Sequence, residues 1–267
     1  MLNKKIIKIC EQKLIFLNYS KKTIDIYIHY IKKFVKCIED KQIIHLSSKD
    51  FQKYLNNFNF TSVSQQNQII NAIRFLYKYG LNKKYNKVSF QRPRKEKILP
   101  QIINKNFIIE KINNIKNLKH KAILSLGYSV GLRVSEVINL KISDIDSKRM
   151  IILIRQSKGR KDRIVPLTEN LLLLLREYYK KYKPKEYLFN GQNKLQYSST
   201  SCNKIIKKYL GNQYHFHLLR HSCFTNLTEQ GVDIHAIQKL AGHKSTKTTE
   251  IYTQVSTNVL HKLPLAI

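Results

Sequence analysis

The sequence predicts a mainly α protein with a small β-sheet, arranged as two domains. Three observations carry that expectation. Apolar residues recur at helical steps through roughly the first ninety positions. A basic, proline-containing stretch without any period then interrupts the chain at 82–101. Beyond it, a single pair of β-branched runs lies among further helical stretches.

The first domain spans 1–94. In KKTIDIYIHYIKKFVKCIED, residues 21–40, Ile24, Tyr27, Ile28, Ile31 and Phe34 form one apolar stripe, with Ser20 or Thr23 placed to cap its start. In QQNQIINAIRFLYKYG a second stripe runs through Ile69, Ile70, Ile73 and Leu76 to a stop at Gly80. The outward faces are rich in Lys and Asn, which suits phosphate contacts and plain solvent equally. NKKYNKVSFQRPRKEKILPQ has a linker's composition, and its basic character lets it lie along a polyanion.

The second domain, 95–267, alternates. A helix through HKAILSLGYSV ends at Gly131, and a short helix, LRVSEVINL, follows. MIILIRQ and RIVPL, separated by SKGRKD, read as a hairpin. Helices resume with NLLLLLREYYKKY after Thr168, a fitting N-cap. SSTSCNKIIKKYL, FHLLRHSCFTNLTEQ and DIHAIQKLA continue the pattern, and Gly231 and Gly242 close the last two.

Charge points to the partner. The chain holds 49 Lys plus Arg against 17 Asp plus Glu, a net charge of +32 and a pI near 10.0. Codon bias toward Lys would also have supplied Asp and Glu, yet acids are scarce. Self-repulsion on this scale is relieved by a polyanion, and nucleic acid rewards such charge through counterion release. An anionic membrane surface is the rival, but no long segment separates an apolar face cleanly from a basic one. Cys10, Cys37, Cys202 and Cys223 form no CxxC pair and read as reduced thiols. The opening MLNKKIIKICEQKLIFLNYS is broken by Lys8, Glu11 and Lys13, unlike a signal peptide or membrane span. A soluble, cytoplasmic protein is expected.

Several residues stand out chemically. Arg133 and Glu136 share a face of a short helix. Taken alone they make a surface ion pair, except that an arginine in a first helical turn opposes the helix dipole unless an anion sits there. Lys158 lies at the hairpin tip with Arg160, Lys161 and Arg163 nearby. That reads as a solvated basic turn, although a lysine among cations has the lowered pKa of a proton donor. His217, Arg220 and His221 share a helical face. Zinc is disfavoured there, because Leu218 follows the first histidine and Arg220 would sit beside the metal; Arg with His suits an anion. His243 follows the helix-ending Gly242, and Tyr252 lies in a short helix beginning near Ser245. In isolation Tyr252 reads as a core aromatic.

Together these residues follow the order R…K…HxxR…H…Y. The second half resembles the tyrosine recombinase family, the Xer and phage-integrase type of site-specific DNA recombinase. GLRVSEVINL, SKGRKDRIVPL, HLLRHSCFTNL and GVDIHAIQKLAGHKSTKTTEIYTQV carry the resemblance over roughly 98–262, and the helical first half resembles the family's SAM-like core-binding domain. The resemblance implies Tyr252 as nucleophile, Arg133 and Arg220 as phosphate clamp, and Lys158, His217 and His243 as further catalytic groups. Glu136 matches the acid that orients the first arginine. SKG in place of GKG, LAGH in place of LLGH, and Cys223-Phe224 after the HxxR box are departures that bear on local packing.

The implied chemistry is cutting and rejoining of double-stranded DNA through a 3′-phosphotyrosyl intermediate and a Holliday junction, with no metal or other cofactor. The implied partner is DNA with two inverted half-sites, bound by a homo- or hetero-tetramer on two duplexes. The tail STNVLHKLPLAI then docks on a neighbouring protomer. Two alternatives share some of these features: relaxation of DNA in the manner of a type IB topoisomerase, and a non-catalytic DNA-binding protein on an integrase scaffold.

Overall fold

The structure is a computed structural model that describes residues 2–38, 43–83, 92–94, 99–155, 162–192 and 194–255. It divides into two compact units, Met1–Lys97 and Ile98–Ile267.

The first unit is helical: α1 (Leu2–Phe16), α2 (Lys21–Lys36), α3 (Ser48–Asn56) and α4 (Val63–Phe75). Ser20 caps α2, its Oγ accepting the Thr23 amide at 3.2 Å. The predicted stripe faces inward, burying Ile24, Ile28, Ile31 and Phe34. Tyr27 is half-buried and meets Tyr19 and Phe75 in an aromatic cluster. The run stops at Gly80 as expected, though not as a single regular α-helix. Its α-helix ends at Phe75 and continues as a wider π-helical turn, Leu76–Gly80. Gly80 is required there for space, since a Cβ would lie 2.8 Å from Cys10 Sγ.

The second unit is built around α6 (Leu118–Ser129), whose Ala122, Ile123, Leu124 and Leu126 are buried. It packs against α8 (Glu169–Tyr182) and α10 (Phe216–Glu229), with α5 (Lys105–Asn113), α7 (Val134–Asn139), α9 (Ser199–Tyr209), α11 (Ile234–Ala241) and α12 (Glu250–Val255) around them. Thr168 caps α8 by accepting the Leu171 amide. The hairpin forms as β2 (Ile151–Ile154) and β3 (Arg163–Pro166), antiparallel, with Ile152 opposite Val165. A third strand, β1 (Ile145–Asp146), pairs with β2; two residues are too few to leave a periodic signal. Pro166 is tolerated because β3 is an edge strand. Among the described residues no helix is long and apolar enough to cross a membrane.

Candidate active site

The site begins at the end of α6. Gly131, at φ +63°, turns the chain in the left-handed region and leaves room for a ring, since a Cβ there would sit 2.6 Å from Phe224 Cζ. Arg133 follows as the N-cap of α7, in extended conformation. This corrects the sequence reading, which set it inside the first turn. Glu136, at the third helical position, accepts the Arg133 amide on Oε2 at 2.8 Å and its guanidinium on Oε1 at 2.8 Å. The carboxylate therefore occupies the positive end of the helix and offsets the misplaced cation.

A second arginine, absent from the sequence-derived site, shares that carboxylate. Arg163 of β3 forks onto Glu136, at 2.7 Å to Oε1 and 2.8 Å to Oε2. Its Nε donates to the Leu240 carbonyl at 2.9 Å. Burial by itself would raise the Glu136 pKa; hydrogen bonds and charge from Arg163, then Arg133, more than reverse this and hold it at about 2. A sequence signal for Arg163 did exist. In RIVPL, Val165 and Leu167 alternate on the buried face, and Arg163 falls on that same face.

Arg220, from α10, is 1% exposed. Such a cation is sustained only by full hydrogen bonding. Its guanidinium donates to the Gly131 and Ala241 carbonyls, both at 2.5 Å, and lies 4.7 Å over the Phe224 ring. Desolvation first, then Arg133, lower its pKa to about 10, so it remains charged.

Gly242 ends α11 at φ +63° and turns the chain into His243. Arg220 can only donate, so His243 Nε2, 3.3 Å away, is the acceptor. The proton is then on Nδ1, which donates to Thr249 Oγ1 at 3.0 Å. Desolvation, then Arg220, Arg133 and Arg163, hold His243 at about 4. His217 is also lowered to about 4, by desolvation and then by His221, Arg220 and Arg133. Both imidazoles are neutral near pH 7.

Tyr252, in α12, is 2% exposed and stacks on His243 with centroids 6.2 Å apart. Phe224 and His221 complete its surroundings at 5.4 and 5.7 Å. Arg220 bridges to Tyr252 through His243, whose Nε2 accepts from the guanidinium and whose ring stacks on the phenol. Burial raises the phenol pKa; Arg220 and Arg133 oppose that without cancelling it, so the phenol keeps its proton. The structure thus gathers Arg133, Glu136, His217, Arg220, His243 and Tyr252 from separate stretches of the chain. Lys158 lies outside the described residues.

Two guanidinium groups paired with one carboxylate, a third held by peptide carbonyls, two neutral imidazoles and a phenol make a cluster whose charge suits an anion. Among the described residues no group of three His, Cys, Asp or Glu gathers as a metal site.

The chain is similar to known proteins over most of its length. The phage integrase family profile matches residues 97–258, and the profile of the phage integrase N-terminal SAM-like domain matches residues 6–87. The chain belongs to the phage integrase family. The tyrosine recombinase XerA of Pyrococcus horikoshii is 34% identical to this integrase over 255 residues, covering 91% of the chain and 86% of the relative. The tyrosine recombinase XerD of Staphylococcus epidermidis is 29% identical over 270 residues, covering 91% of each. In fold, the integrase is similar to XerH site-specific recombinase bound to palindromic difH substrate in a post-cleavage complex. The TM-score is 0.74 at 20% identity, over 97% of this chain and 83% of that one. The integrase is an enzyme of the tyrosine recombinase class, which cuts and rejoins DNA.

Proposed function

We propose that this integrase recombines double-stranded DNA at specific sites through a 3′-phosphotyrosyl intermediate formed on Tyr252. The observation that carries the reading is the convergence of buried Arg220 and buried Tyr252 on His243, which accepts from the guanidinium and stacks on the phenol ring. A scissile phosphate enters this cluster beside the Tyr252 hydroxyl. Arg133 and Arg220 donate to its non-bridging oxygens, and these bonds strengthen as charge builds in the pentacoordinate state. His217, neutral at the outset, accepts the phenol proton as Tyr252 Oη bonds to phosphorus. The 5′ oxygen departs with a proton from Lys158. The incoming anion raises the His243 pKa, so Nε2 gains the proton with which it donates to the phosphate.

One phosphodiester is exchanged for another of similar energy, so the reaction calls on neither ATP nor a metal. A 5′ hydroxyl from a second duplex reverses the step and reseals the DNA in a new arrangement. Residues 1–94 are assigned to gripping the duplex and 95–267 to the chemistry. Four protomers on two duplexes, each duplex carrying inverted half-sites, then carry the exchange through a Holliday junction. The apolar tail after Tyr252, which lies outside the described residues, links neighbouring protomers.

To test this, the protein is incubated with fragmented host genomic DNA in EDTA, and DNA covalently attached to protein is sequenced. The recovered site, built into a nicked duplex, traps the adduct. Tyr252→Phe abolishes the adduct while DNA binding persists; an adduct that survives this substitution refutes the assignment.

A further inference from the structure

We infer that Arg163 is a positioning residue for the phosphate clamp, acting through Glu136. The inference rests on the cleavage reaction proposed above. Arg163 is an unusual strand residue: its side chain is 8% exposed, while the neighbouring Ile164 is 51% exposed. On this edge strand the arginine points inward and the isoleucine beside it points outward. Such burial is costly unless the charge is paired and its donors are used.

The geometry shows how they are used. The fork to both Glu136 oxygens fixes the rotation of the carboxylate. Thus Oε2 meets the Arg133 amide and Oε1 the Arg133 guanidinium. The third contact, from Nε to Leu240, reaches the last turn of α11. The next carbonyl along, that of Ala241, holds Arg220. Gly242 lies directly on the Arg163 stem, since a Cβ there would come within 3.0 Å of Cδ. One guanidinium therefore joins β3, the Arg133 cap and the turn that leads into His243.

Charge sharing follows from this arrangement. A buried carboxylate facing Arg133 alone would pair with it fully and draw its guanidinium inward, away from a phosphate. With Arg163 taking a bidentate share, Glu136 aims Arg133 without neutralising it.

The test compares four proteins: the parent, Arg163→Ala, Glu136→Gln and the double variant. Each is assayed for single-turnover adduct formation on the nicked duplex and for equilibrium DNA binding. Arg163→Ala is expected to slow cleavage about tenfold or more while DNA affinity stays within about threefold. In the Glu136→Gln background the same change is expected to cost less than about threefold, because the group it acts through is gone. Cleavage by Arg163→Ala at the parent rate overturns the inference. So does an equal loss in both backgrounds, which marks a fold staple. Should Arg163→Ala fail to fold, Arg163→Lys keeps the charge without the fork, and parental cleavage by that variant overturns the inference instead. A parent that forms no adduct refutes the proposed function itself.

Discussion

Replacing Gly131 with alanine separates two costs that glycine avoids. At φ +63° an alanine pays roughly 1 kcal/mol for the left-handed backbone. Its Cβ would also stand 2.6 Å from Cζ and 2.8 Å from Cε1 of Phe224, a ring with no exposed surface. Forcing a packed ring aside costs about 1–3 kcal/mol more, for a total of about 2–4 kcal/mol. Gly231 supplies the control, since it has φ +80° and nothing within 4 Å of its added Cβ. Gly231→Ala therefore carries only the backbone cost. At about 2–4 °C per kcal/mol for a domain of this size, Gly231→Ala lowers the melting temperature by about 3 °C and Gly131→Ala by about 6–12 °C. Scanning calorimetry on the full chain reads both. Phe224 supports the Arg220 guanidinium and the Tyr252 ring, so Gly131→Ala also slows adduct formation, whereas Gly231→Ala does not. Equal melting shifts for the two variants would refute the steric argument.

Two further predictions concern protons. Lys158→Ala slows cleavage by about 10²–10⁴-fold on an ordinary duplex. The loss disappears on a duplex with sulfur at the 5′ bridging position, whose leaving group needs no proton; persistence of the defect there removes Lys158 from the role of acid. Stability depends on His217 and His243, both lowered from 6.5 to about 4. The unfolded chain takes up protons first, so their contribution is whole above pH 6.5 and is lost as pH falls toward 4. Melting temperature should drop through that window, and less steeply in His243→Gln; an unchanged slope in the variant argues against the shift.

The helices were readable because each carries its own instructions. Stripes such as Ile24, Ile28 and Ile31, and caps such as Ser20 and Thr168, act within a few residues of themselves. The α7 boundary was misjudged by one position because arginine is no capping residue, and the cap is made by the Glu136 carboxylate reaching back. The wider turn at Leu76–Gly80 leaves no signal because five residues are too few to tell its spacing from that of an α-helix. Arg163 reads as part of a solvated basic turn for another reason. It is one of four cations in SKGRKDR, and composition cannot tell a solvated cation from a buried one. Only strand register does so. That Gly131, Arg220 and Ala241 meet depends on contacts across some hundred positions, which no local pattern encodes.

Apart from His243 Nε2, the acceptors that hold Arg220 belong to peptide groups, at Gly131 and Ala241. Every amino acid supplies a carbonyl, so the orientation of this guanidinium is stored in the course of two turns and not in the identity of their side chains. Substitution at position 241 by any residue that preserves the turn leaves the oxygen where it is. Grafting the site onto another scaffold would accordingly demand fidelity of loop path before fidelity of sequence.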